Sequence, residues 1–166
     1  MKKFVTAFYI FMLSTGAAVI LLLGAFVAPT VFHTEVFSGG VPLLSHYDAG
    51  LLMSHIFKKA NYLLLVTMVT IAFYDGMRIY KRKSNTLMAV FAGLSVFGLA
   101  MHLFFFTPKI IEFQEAGEYA TKSEAFSVIH QLSETDFKLV LFCLVSLVMM
   151  RLTSSLRDDC CSDKES

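Results

Sequence analysis

Apolar residues fall into four long runs along this chain, separated by polar intervals. Phe4 to Ala28 is 25 residues without a charge, and Thr86 to Pro108 is 23 residues whose one ionisable group is His102. Asn61 to Tyr80 is apolar until Asp75 and Arg78 near its end. Phe137 to Leu156 carries Lys138 at its start and Arg151 near its finish. A bilayer core takes about 20 apolar residues in a helix, and charges at helix ends can reach the headgroups. The pattern therefore predicts four membrane-spanning helices, over about 4–28, 61–80, 86–108 and 137–156, in one membrane domain of residues 1–157. Residues 158–166 read as a polar tail. The first run exceeds the roughly 7–15 apolar residues of a signal peptide, and Pro29 follows its one cleavage-like site, so it reads as a retained span.

The two longer intervals each hold a helix-start signal. Ser45-His46-Tyr47-Asp48 and Thr121-Lys122-Ser123-Glu124 match a capping box, in which a hydroxyl accepts from an orphan N–H and an acid suits the positive helix end. After the first box, Ala49, Leu52, Met53, Ile56 and Ala60 share one face. Periodicity alone leaves two readings: a separate amphipathic helix at the membrane surface, or a lead-in to the second span. The expected fold is all-α, a four-helix membrane bundle with short amphipathic extracytoplasmic helices.

Composition agrees. The chain is 56% hydrophobic and 16% charged with 17 Phe, and its mean hydropathy is +0.65. A soluble domain of this size could not bury so much apolar surface. The net charge of +1, without a basic stripe, gives no footing for nucleic acid. Four spans place both termini on one side. Lys2, Lys3, Arg78, Lys81, Arg82, Lys83, Arg151, Arg157 and Lys164 fall on that side, against Lys58, Lys59, Lys109, Lys122 and Lys138 opposite. Short basic loops stay cytoplasmic, so both termini are expected in the cytoplasm, in the inner membrane if the protein is bacterial.

An internal repeat is also legible. Pro29 and Pro108 stand at the outer ends of the first and third spans, where each is expected to end or kink its helix. Each is followed by a capping box and then a histidine: His55 with Asn61-Tyr62 behind it, His130 with Asp136-Phe137 behind it. Gly24-x-Phe26-x-x-Pro29-x-x-Phe32, Ala49-Gly50 with Ile56-Phe57 and Asn61-Tyr62, Thr107-Pro108-Lys109-Ile110, and Phe126-x-x-x-His130-x-Leu132-Ser133 occur in that order. Together they resemble the domain-of-unknown-function 4149 family, the transmembrane protein 205-like proteins, over roughly residues 10–150. The resemblance implies a four-helix membrane protein and makes Gly24, Pro29, Phe57, Pro108, His130 and Ser133 family-like positions. It implies little chemistry.

Candidate chemistry centres on histidine. His33, His46, His55, His102 and His130 all lie toward the outer side, and imidazoles suit zinc, copper or haem iron. No pair has metalloprotein spacing, so no cofactor is predicted; His55, His102 and His130 are the metal candidates. The alternative is that they are interfacial histidines bonded to nearby carboxylates. His102, inside a span, is expected to face the bundle interior or a wet cavity, where it can pair with Glu112 or His130 or bind a ligand. Ala92, Gly93, Gly98 and Ala100 permit close helix approach. Asp75 and Arg78, three apart, can meet on one face as an inner anchor. Cys143 reads as packed, and Cys160 and Cys161 as thiols in the tail, with acylation or soft-metal binding as alternatives. No catalytic motif is present, so an enzyme is the less favoured class. Three functions remain: a non-enzymatic membrane or envelope factor acting through another membrane protein, a small-solute or metal transporter working as a homo-oligomer, and a haem- or quinone-binding redox protein.

Overall fold

The computed structural model describes the backbone of residues 2–82 and 85–162, and side chains over 4–82 and 85–155. Lys83 and Ser84 of the basic turn lie outside the described residues. So do the side chains of Lys2, Lys3, Arg157, Cys160, Cys161 and Lys164.

The described chain is helical, with helices α1 (Lys2–Leu22), α2 (Ala28–Phe32), α3 (His46–Tyr80), α4 (Thr86–Met101), α5 (Thr107–Glu115), α6 (Glu118–Thr121) and α7 (Glu124–Ser162). Four stretches are long and apolar enough to cross a membrane: Phe4–Phe32, His46–Tyr80, Thr86–Glu115 and Glu124–Ser155. They close a ring of four, α1 packing on α3 and α7, and α4 packing on α3 and α7. Tyr9, Leu13 and Ile20 meet Leu64, Ile71, Leu99, Val140, Leu144 and Leu147 in the interior. Phe4, Phe11, Phe26, Phe73, Phe97, Phe104 and Phe142 point outward. An apolar exterior around a packed core is costly in water and favourable in lipid.

Of the two readings of the capping-box segments, the lead-in is the one observed, and separate outer helices do not form there. Each segment runs unbroken into its span, so α3 has 35 residues and α7 has 39. No proline stands between either cap and its span, the one glycine there, Gly50, is accommodated within α3, and helix propagation costs far less than nucleating anew. Ser45 caps α3 as expected, accepting from the Asp48 N–H at 3.0 Å and donating to the Asp48 carboxylate at 2.7 Å. The second cap differs. Ser123, not Thr121, accepts from the Phe126 N–H at 3.2 Å, while Thr121 closes α6 and bonds back to the Glu118 carbonyl. At the other end α7 continues helical through Ser162.

The two outer prolines do not end their helices either. A π-helical turn precedes each one, over Leu23–Val27 and His102–Phe106. The Ala28 N–H reaches back five residues to the Leu23 carbonyl, and the Thr107 N–H does the same to His102. A proline ring crowds the carbonyl four residues before it. The wider turn moves that carbonyl aside, and the helix continues to Phe32 and Glu115.

Many buried positions of the two hairpins correspond. Buried Tyr9, Leu13, Ile20 and Leu23 correspond, 79 positions on, to buried Met88, Ala92, Leu99 and His102. Leu64, Thr67, Ile71 and Asp75 correspond, 76 positions on, to Val140, Cys143, Leu147 and Arg151. This register sets Asn61 against Phe137, one residue away from the Asn61–Asp136 pairing suggested by the sequence. Burial governs it, since a one-residue slip turns a helix by about 100°.

Close approach is concentrated at two glycines. A Cβ on Gly16 would meet Thr67 Cγ2 at 2.8 Å, and one on Gly98 would clash with Val140 Cγ2 and meet Asp136 Oδ1 at 3.1 Å. Gly93, the other glycine of α4, has open space around it. Gly98→Ala is therefore expected to cost about 1–3 kcal/mol through overpacking of α4 on α7, and Gly93→Ala to be neutral or slightly stabilising. Paired thermal unfolding of the two variants in detergent checks this.

Candidate functional site

Two polar clusters interrupt the apolar interior, one toward each end. The first gathers at the end shared by the start of α1 and the ends of α3 and α7. Asp75 is 2% exposed and accepts from the Tyr9 hydroxyl through one oxygen and from Arg151 Nη2 through the other. Tyr74 stacks on Tyr9, with centroids 4.0 Å apart, and its hydroxyl lies 3.0 Å from Thr6 Oγ1. The Arg151 guanidinium lies 5.7 Å from the Tyr9 ring centre and 5.5 Å from that of Tyr74.

This corrects two expectations. Arg151 does not reach out to the headgroups but is buried at 3% exposure. The partners that hold the Asp75 carboxylate are Arg151 and Tyr9, from two other helices, while the Arg78 guanidinium sits 5.9 Å over the Tyr74 ring. Sequence spacing finds i,i+3 neighbours on one helix; it is blind to a partner 76 residues away.

The second cluster lies at the opposite end, where α3, the π turn after α4, and α7 meet. His102 is 4% exposed, and neither ring nitrogen has a hydrogen-bond partner. Its Nδ1 stands 3.9 Å from Asp136 Oδ2, too far for a hydrogen bond, and that oxygen is also unpartnered. The ring packs against Phe137 with centroids 3.8 Å apart and faces Phe57 at 6.0 Å. Nearby, Asn61 Nδ2 donates to Thr107 Oγ1 at 3.1 Å, leaving the buried Asn61 Oδ1 without a donor.

His102 thus faces the interior as expected, but its neighbour is Asp136 rather than Glu112 or His130. Glu112 pairs with Lys109 at 2.7 Å. His130 is exposed, stacked on Phe126 and 3.3 Å from Glu134. His55 is exposed as well, so the three metal candidates do not converge. Among the described residues no group of three or more His, Cys, Asp and Glu side chains is placed to hold a metal ion, and no second imidazole faces His102 as a b-type haem would need. His33 pairs with Glu35 at 3.1 Å; the backbone N–H of Glu35, more than this contact, holds its carboxyl below the usual carboxylate range.

Of the family-like positions, Phe57 and buried Ser133 lie on inward faces, and Phe57 also touches Phe137 edge-on. Gly24, Pro29 and Pro108 are exposed and act on the backbone, within or just after the π turns. Asp136 was missed as a site residue because it reads as the last polar residue of a loop. Gly98 was the available signal: a glycine deep in a span leaves room for a neighbour, here the Asp136 side chain.

The repeat isolates what is particular to His102. Leu23, its counterpart in the first π turn, is equally buried, so the backbone there accepts an apolar side chain. The fold does not require an imidazole at this place.

Four apolar helices around a core with two polar clusters define a protein of the all-α, multi-pass membrane class. The family model for the domain of unknown function DUF4149 matches residues 9–119, and the chain belongs to that family. The matched segment contains Gly24, Pro29, Phe57, His102 and Pro108; His130 and Ser133 lie beyond it. No curated protein and no solved structure matches the chain.

Proposed function

We propose that the chain is an integral membrane protein with both termini cytoplasmic, in the inner membrane if the protein is bacterial, acting as a non-enzymatic factor through contacts with another membrane protein. The observation that carries this reading is the closed layer between the polar clusters. Leu13, Leu64, Leu99 and Leu144 are each 0% exposed and meet in one core, so a single copy offers no wet path from His102 to Asp75. Contact surface is available on the outer loop after α2, where Val36, Phe37, Val41 and Leu43 stand exposed beyond the helices. The orientation rests on the basic residues gathered at the end that holds both termini.

A second reading, a small-solute transporter, is favoured by the unpartnered polar atoms of His102, Asp136 and Asn61, which could take a polar guest. Such a protein would need a second copy to complete a path. Reconstitution of the purified chain into proteoliposomes separates the two. Proton, potassium and zinc fluxes are expected at the level of empty vesicles. A flux that His102→Ala abolishes would overturn the first reading in favour of the second.

A further inference from the structure

The two polar clusters meet the same problem in different ways. At one end the buried Asp75 carboxylate is held by the Tyr9 hydroxyl and by Arg151, a cation that never gives up its proton. At the other end Asp136 Oδ2 faces His102 Nδ1 across 3.9 Å, and neither atom has a hydrogen-bond partner. Histidine is the side chain whose charge comes and goes near neutral pH. The second pair thus has the carboxylate of the first, with the fixed cation replaced by a conditional one.

Nothing else near the pair supplies a charge. The second π turn packs against α3, α4, α5 and α7. No titratable side chain occurs in α4. His55, Lys58, Lys59 and Tyr62 of α3 and Glu115 of α5 are exposed. On α5 Lys109 pairs with Glu112, and on α7 His130 and Lys138 pair with Glu134, all at the surface. Among the described residues, no charged group but Asp136 lies within ion-pair distance of His102. Access is one-sided as well. Asp136 is 13% exposed at its end of the bundle, while Leu13, Leu64, Leu99 and Leu144 close the layer toward Asp75.

We propose that His102 and Asp136 form a proton-operated latch: one proton, taken up from the end of the bundle opposite the termini, lodges between Nδ1 and Oδ2, and the bond it makes draws α7 onto the second π turn. Without that proton a carboxylate faces a neutral ring in apolar surroundings, and its charge is uncompensated. With it the pair is neutral as a whole, which an apolar interior favours. The movement needed is about 1 Å, the difference between the observed gap and a charge-assisted hydrogen bond. Gly98, beside the Asp136 carboxylate, leaves room for it. The buried Leu23 at the matching place in the first π turn shows that packing alone does not call for an imidazole. The latch regulates the molecule under either reading of its function and depends on neither.

The test is NMR of the full chain, isotope-labelled at histidine nitrogen, in detergent at about pH 8 and about pH 5, either side of ordinary histidine titration. The His102 signals are those that His102→Leu removes. On acidification the parent is expected to gain one far-downfield proton resonance, the mark of a ring–carboxyl hydrogen bond, with a shift of the His102 ring nitrogens. Asp136→Asn, which keeps the side-chain size but cannot share the proton, should lose both changes. Lys138→Gln, on an exposed lysine of the same helix, should keep them. The parent by itself can refute the latch: a bond already present at about pH 8, or no change at His102 at about pH 5, would overturn it. So would the same change in Asp136→Asn.

Discussion

Arg151→Met is expected to lower the unfolding free energy by about 3–5 kcal/mol, the cost of stranding one member of a buried ion pair. The Asp75 carboxylate would keep the Tyr9 hydroxyl and lose its counter-charge, in a site sealed between α1, α3 and α7. Asp75→Leu should cost a similar amount, for the converse reason: a guanidinium held between two tyrosine rings with no carboxylate in reach. The double variant Asp75→Leu/Arg151→Met should return to within about 1 kcal/mol of the parent or exceed it, since well-packed apolar replacements of buried pairs are often neutral or stabilising. Circular dichroism during titration with a denaturing detergent reads all four corners of the cycle. Additive losses in the double variant would mean that the two groups do not act on each other. Because the pair and the Tyr9 hydroxyl together tie three helices, they fix the helices' relative rotation as well as contributing energy.

His102→Leu is expected to have the opposite sign. The imidazole buries a donor and an acceptor with no partner, and each such group costs about 1–3 kcal/mol. Leucine removes both costs and reproduces the residue found at the matching position of the first π turn. The gain should be about 2–4 kcal/mol on the same scale. Asp136→Leu should gain less, because Asp136 is partly open and packs against Gly98, where a branched side chain has little room. Thermal unfolding of the metal-free, detergent-solubilised variants checks this. A loss of stability in His102→Leu would show that the ring is held by bonds after all. A gain accompanied by loss of cellular function would mark His102 as a residue kept at the expense of stability, as functional groups in membrane interiors commonly are.

Much of the architecture is readable along the chain. Four uncharged or nearly uncharged runs dictate four spans, because length and apolarity are properties of a segment and need no partner. Ser45 and Asp48 start α3 for the same local reason, and the two outer prolines mark where the helices change their geometry. His102 reveals itself as an interior residue by its presence within an apolar run. The family-like glycine and prolines could be assigned backbone roles without coordinates.

The rest depended on how the helices turn toward one another. Helical periodicity says which residues share a face, but not which face of another helix they meet. Asp75 has a sequence neighbour of opposite charge in Arg78, yet the carboxylate is held by Arg151 and Tyr9, because packing of Leu64, Ile71, Val140 and Leu147 rotates those helices inward together. Asp136 comes close to His102 only because Gly98 lets α7 approach α4. The widening of the chain before Pro29 and Pro108 into π turns follows from helices long enough to continue past a proline, a choice made by their packing as well as by the ring. Segment chemistry determined what this protein can be placed in, a bilayer. Through-space packing alone decided which polar groups are satisfied there and which, at His102, Asp136 and Asn61, are left without a partner in the chain.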